Sequence, residues 1–155
     1  MKHWEDVMRN IDLPPIWLLG FILAVWVGAQ VLPGWVAQSV ELDGMGRGFV
    51  LIGIGLTVFA LVSFRRAKTT PIPHKRASAL ITTGLYERSR NPIYLADVCI
   101  LIGAILWIGF WPALVLVPVF IWILTVRFIR PEEARLREDF GATFEDWCRR
   151  TRRWM

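Results

Sequence analysis

Cysteine and histidine are scarce, with two of each in 155 residues. Cys99 and Cys148 have no ligand-like spacing and build no disulfide scaffold. His3 and His74 stand isolated, so no metal site is indicated. Internal repeats and low-complexity segments are missing as well. What the chain has in excess is apolar side chain: 55% hydrophobic residues, including nine Trp and nine Phe. Mean hydropathy is +0.45. A soluble domain of this composition would expose large adhesive patches. A disordered chain would carry far fewer large side chains. The remaining solution hides apolar surface in lipid and keeps the charges at its two faces. The aromatic content fits that solution, because Trp is enriched at membrane interfaces. The length suggests one domain, residues 1–155.

The charge-free runs predict four transmembrane helices. Residues 14–32 and 48–64 contain no charge, and both are long enough to cross about 30 Å of hydrocarbon, the second at the short limit. Between Asp97 and Arg127 lie 29 uncharged residues. As one helix these would reach about 44 Å at 1.5 Å per residue, too long for one ordinary span. Gly109-Phe110-Trp111-Pro112 interrupts them with a turn signal. The prediction is therefore a helical hairpin over 92–110 and 112–129. The first run is not expected to be a cleavable signal, since its apolar core is long and no A-x-A-like site follows it.

Basic residues set the orientation. The 33–47 loop holds only Arg47 and the 109–112 turn holds none. With four spans, the N-terminal segment, the 65–91 loop and the tail lie on one side, with 17 of the 18 Lys and Arg residues. That side is expected to be cytosolic, with both termini on it. This placement of charge also turns the pI of about 9.9 away from nucleic acid and toward a membrane surface.

The tail reads as a cytosolic amphipathic element. Pro131 before Glu132 and Glu133 predicts a helix start. Leu136, Phe140, Phe144 and Trp147 fall at helical spacing and form a stripe to lie on the membrane or cap the bundle. Gly141 is expected to break the helix, and Thr143-x-x-Asp146 to restart it.

Reactive side chains concentrate in the 65–91 loop and the tail. Asp97 is the one acid placed inside a predicted span, and intramembrane carboxylates are rare and tend to be functional. Its alternative is a pair with a loop arginine. Arg127, at the end of the fourth span, is expected to snorkel to the headgroups or to pair with Asp97. Asn91 suits the cap of the third helix and Pro92 its first position. Arg90 and Tyr94 flank the same helix mouth, and a helix N-terminus beside an arginine suits an anion such as a carboxylate.

The pattern Leu80-x-x-Thr83-Gly84-x-Tyr86-x-x-Ser89-Arg90-Asn91-Pro92-x-Tyr94, followed by Glu132-Glu133-x-x-Leu136-x-x-x-Phe140-Gly141-x-x-Phe144-x-x-Trp147, resembles one group of enzymes. These are the integral-membrane methyltransferases related to isoprenylcysteine carboxyl methyltransferase and phosphatidylethanolamine N-methyltransferase. The resemblance covers roughly 50–155. It implies S-adenosylmethionine as cofactor, bound at the cytosolic membrane face by the two motifs joined in space. It also implies membrane lipids as partners and a lipophilic or membrane-delivered acceptor, a small molecule or a lipidated one. The cofactor-binding residues carried over are Tyr86, Arg90, Asn91, Pro92, Tyr94, Glu132, Glu133 and Phe140. Arg90 and the 91–94 turn suit the cofactor carboxylate. Glu132 or Glu133 suits the ribose hydroxyls, with Glu133 preferred, and Tyr94 and Phe140 suit the adenine. Arg90, Asp97 and Arg127 are the catalytic candidates. The family usually has Tyr where this chain has Phe144 and Trp147, and its isoprenylcysteine branch commonly has His at Asn91. Gly53-Ile54-Gly55 matches a Gly-x-Gly of the phospholipid branch, though small residues in a span more often serve helix packing. The competing readings are an NADPH-dependent reductase of the sterol reductase type, a small four-helix transporter, and a membrane-anchored interaction protein with a lipid-binding basic tail.

Overall fold

A computed structural model describes residues 12–70 and 78–155. Lys2, His3, Arg9, His74, Lys75 and Arg76, which entered the expectations above, lie outside the described residues. The fold is all-α. Among the described residues, five α-helices, α1 (Pro14–Val31), α2 (Val40–Arg66), α3 (Pro92–Ile108), α4 (Leu116–Ile123) and α5 (Arg130–Arg150), are linked by tight turns and by one π-helical turn, Leu124–Ile129.

α1 buries only Pro14, Leu18, Val25 and Ala29, one narrow stripe, against the rest of the bundle. Its other faces hold exposed Leu19, Leu23 and Trp26. A helix apolar all round but covered on one side needs lipid for the remainder. α2 begins eight residues before the predicted span. Ser39 caps it by accepting from the Leu42 amide at 3.2 Å. Glu41 and Asp43 occupy the first turn, while Arg65 and Arg66 occupy the last, both complementing the helix dipole. Counting charge-free residues missed this first part because Asp43 and Arg47 pair within it at 2.8 Å.

α2 and α3 approach until their backbones touch. A Cβ on Gly103 would sit 2.7 Å from the Gly46 carbonyl oxygen, and one on Gly53 would sit 2.8 Å from that of Ala96. Gly53 therefore serves helix packing, while Gly55 faces open space. α3 ends at Gly109, whose left-handed φ of 78° and hydrogen bond from the Ala37 amide (2.9 Å) close the turn. Among the described residues, three helical runs are long and apolar enough to cross a membrane: α1, α2 and the run beginning at Trp111. α3 is a shorter apolar helix. The expected four-span pattern is thus met by four apolar helical runs, centred on Val25, Leu101, Ile105, Phe120 and Leu124.

The expected helix is present, with Pro131 at its start and Glu132 and Glu133 in its first turn, but no loop separates it from the preceding span. The chain stays helical through Pro131 because the preceding turn is π-helical, the Arg130 amide reaching back to the Thr125 carbonyl. That widened turn lets a proline, which has no N–H to give, enter without ending the helix. The break at Gly141 is present (φ 49°, ψ −122°), and helix resumes beyond it. The Arg137–Glu145 ion pair spans the break.

Candidate active site

Three segments meet at the mouth of α3. The first is the loop 80–91, folded by a turn at Gly84–Glu87. Gly84 takes a left-handed φ of 68° there, and its amide donates to the Glu87 carboxylate at 3.2 Å. The second is the start of α5. The third is 151–154, which follows α5.

The aromatic stripe of α5 resolves one expectation: it caps the bundle. Phe144 and Trp147 are buried with Tyr86, and Leu136, Phe140, Phe64, Leu80, Ile81 and Cys148 pack around them. The Trp147 indole donates to the Tyr86 carbonyl at 2.9 Å. A polar tie is therefore present where the family usually has Tyr, supplied by an indole N–H. Tyr86 also meets Phe64 edge-on at 6.0 Å. Phe64 also lines a hollow of about 360 Å³ with Val58, Leu61, Val62, Arg65 and Thr69.

Arg90 and Glu133, 43 positions apart in sequence, stand 3.1 Å apart and are both largely buried. Arg90 Nη1 also donates to the Cys148 carbonyl at 3.4 Å. Arg153 approaches Glu133 with two parallel bonds, Nε to Oε1 at 3.0 Å and Nη2 to Oε2 at 2.6 Å. Glu132 takes a different partner, accepting from the Tyr94 hydroxyl at 3.0 Å, and Tyr94 stacks on Phe128 at 6.4 Å. Burial pushes the Glu132 carboxyl above its ordinary range, opposed by the Tyr94 bond and by Arg135. Burial likewise raises the Tyr86 phenol, as does the nearby Glu132 charge.

Pro92 is the first residue of α3, as expected. Asn91 precedes it without capping it. Its side-chain amide donates instead to the Arg153 carbonyl at 2.9 Å, because 151–154 lies within its reach. Arg127 is not brought to this cluster. It pairs with Asp12 at 2.8 Å and lies over the Trp17 ring at 5.4 Å, so its expected alternative, a pair with Asp97, is not formed. Asp97 is buried on α3, and no ion pair reaches it among the described residues. Phe140 lies at the edge of the aromatic cluster. Sequence reasoning missed Arg153. One arginine among four between 149 and 153 carries no distinguishing pattern, and only the path of 151–154 selects it.

Two buried polar atoms have no hydrogen-bond partner among the described residues: Arg90 Nε and the Tyr86 hydroxyl. Buried polar groups are nearly always satisfied, so these two atoms are candidate contacts for a ligand. Both belong to the Tyr86–Arg90–Tyr94 motif. Residues 44–143 match the family model described as phospholipid methyltransferase. The chain belongs to that family. Comparison with curated proteins and with solved structures returned no match. The family match contains most of α2, all of α3, the π-helical turn and the Glu132-Glu133 pair, while Arg153 lies beyond it. A methyltransferase family and four apolar helical runs together make this a membrane methyltransferase.

Proposed function

We propose that the protein transfers a methyl group from S-adenosylmethionine to a lipophilic acceptor at the cytosolic membrane face, with both termini on that side. The observation that carries this reading is the pair of buried, unpartnered donors, Arg90 Nε and Tyr86 OH, on the motif loop of a methyltransferase family member. An arginine at a helix mouth suits the carboxylate of the cofactor. The cofactor's chemistry is a methyl group already activated on a sulfonium, so the chain needs chiefly to align it with the acceptor.

Arg90, with Asn91 and Pro92 shaping the start of α3, would hold the carboxylate. Tyr86 would donate from the loop. Glu132 is better suited than Glu133 to the ribose hydroxyls. Both oxygens of Glu133 already accept from arginines, whereas Glu132 accepts from the Tyr94 hydroxyl through Oε2. Tyr94 and Phe140 would wall the adenine. Asp97 is the group available to take a proton from an acceptor that arrives protonated. Arg127, engaged by Asp12 and Trp17, has no part in this reading. The hollow behind Phe64 supports an acceptor that enters sideways from the bilayer.

Equilibrium binding of S-adenosylmethionine and of NADPH to the purified protein in detergent tests the reading. S-adenosylmethionine should bind saturably and NADPH should not. Losing one charge-assisted hydrogen bond costs about 1.5–3 kcal/mol, so Arg90→Ala should weaken binding about 10- to 100-fold. Arg152→Ala, with an exposed side chain, should bind like the parent. NADPH binding alone, or parental affinity in a folded Arg90→Ala protein, would overturn it. For orientation, a cysteine replacing Ala142 in a Cys99→Ser, Cys148→Ser background should react with an impermeant maleimide only after cells are opened. Labelling of intact cells would reverse the topology.

A further inference from the structure

Segment 151–153 is tied along the motif loop. The Arg90 amide donates to the Arg152 carbonyl at 3.0 Å, and the Asn91 side chain donates to the Arg153 carbonyl at 2.9 Å. The Thr151 hydroxyl donates to the Glu87 carbonyl at 3.4 Å, and Ser89 pairs with Arg152 as an isolated parallel bridge. This path delivers the Arg153 guanidinium to Glu133, which it grips with both prongs at 3.0 and 2.6 Å. Arg90 touches the same carboxylate at 3.1 Å through Nη2 alone.

The charge count has a consequence. Arg90 and Glu133 alone would be a closed, neutral pair with no pull on an anion. Arg153 already matches the Glu133 charge through the two-pronged geometry that is strongest for a carboxylate. The three side chains therefore carry a surplus of one positive charge. Of the two arginines Arg90 is the less tightly matched: it is 12% exposed, meets Glu133 through one nitrogen, and its Nε has no partner among the described residues. An uncompensated buried charge is costly, and an anionic ligand removes the cost.

We infer that Arg153 is a positioning residue of the cofactor site: it holds and neutralises Glu133, and so leaves Arg90 as the receptor for the cofactor carboxylate. This rests on the methyl-transfer reading above. It goes beyond the family match, because Arg153 lies outside the matched residues. Arg153 itself touches no reacting atom.

The test compares S-adenosylmethionine with its decarboxylated analogue, by titration calorimetry on the full chain in detergent. Arg153→Gln should weaken S-adenosylmethionine about tenfold, the order of one charge-assisted contact. It should leave the analogue's affinity unchanged, since no carboxylate is present to feel the lost charge. Parallel weakening of both ligands would mean Arg153 merely supports the fold, and the inference would fall. Tighter S-adenosylmethionine binding would mean that Arg153 competes with the ligand for Glu133, which also overturns it. Arg153→Lys keeps the charge while losing one prong, so it should stay within about threefold of the parent. It carries the test if the Gln variant does not fold, and a tenfold loss in it counts against the inference. Absence of saturable S-adenosylmethionine binding by the parent would instead remove the methyl-transfer reading itself.

Discussion

Glu132 and Glu133 are adjacent, yet their surroundings separate them. Glu133 faces two guanidiniums, while Glu132 accepts from one phenol and has the Arg135 charge nearby. The raised carboxyl of Glu132 links pH to stability. The folded state keeps this proton at a pH where the unfolded chain has released it. Stability from this group is therefore fully present below the ordinary carboxylate value, and is lost as pH climbs through that value to the raised one. Glu132→Gln keeps an acceptor for Tyr94 and has no proton to lose. Its thermal midpoint in detergent at pH 8 should exceed the parent's by about 2–4 °C, roughly what 1 kcal/mol gives in a chain of this size, with little gain at pH 4. Cofactor affinity should fall in the same variant. An equal midpoint at pH 8 would show that the carboxyl costs the fold nothing.

Contact between α2 and α3 turns on three glycines, which makes their sites unequal. Gly103→Ala places a methyl 2.7 Å from the Gly46 carbonyl oxygen and should cost about 1–3 kcal/mol through displaced backbone. Gly55→Ala meets nothing within 4 Å and should be neutral or gain up to about 1 kcal/mol from reduced chain freedom. Denaturation in mixed micelles ranks the two, and equal stability would contradict the close packing. The four apolar runs were legible because lipid imposes a length and forbids charge, signals that need no tertiary knowledge. Helix limits were less so. The start of α2 hides acids inside a capped first turn, and the passage through Pro131 depends on a π-helical turn that local composition does not announce. At the site, the meeting of Arg90 with Glu133 followed from a hairpin returning to one face. Arg153 did not follow, because its role depends on where an irregular segment runs.

Across the whole molecule, α2 and α3 contrast in length and burial. α2 is the longest helix at 27 residues, and it exposes Leu51, Ile52 and Val58. α3 has only 17 residues and buries nine of them, packed by α1, α2 and α4. At 1.5 Å per residue these are about 40 Å and 26 Å, against about 30 Å of hydrocarbon. The site lies at the start of the short helix. By length alone α2 is expected to overhang the bilayer and α3 to fall short of it, which predicts a mouth of α3 recessed below the level that the end of α2 reaches. The surrounding lipid then meets a step, and adapting to it costs fractions of a kcal/mol per Å. The protein is thereby a gauge of the membrane that holds it. Thin bilayers bring the headgroup plane down to the recess, and thick ones lift it away. Methyl transfer measured in vesicles of phosphatidylcholine with 14-, 18- and 22-carbon chains should fall as the chains lengthen, and a rate indifferent to thickness would place the site at the surface instead.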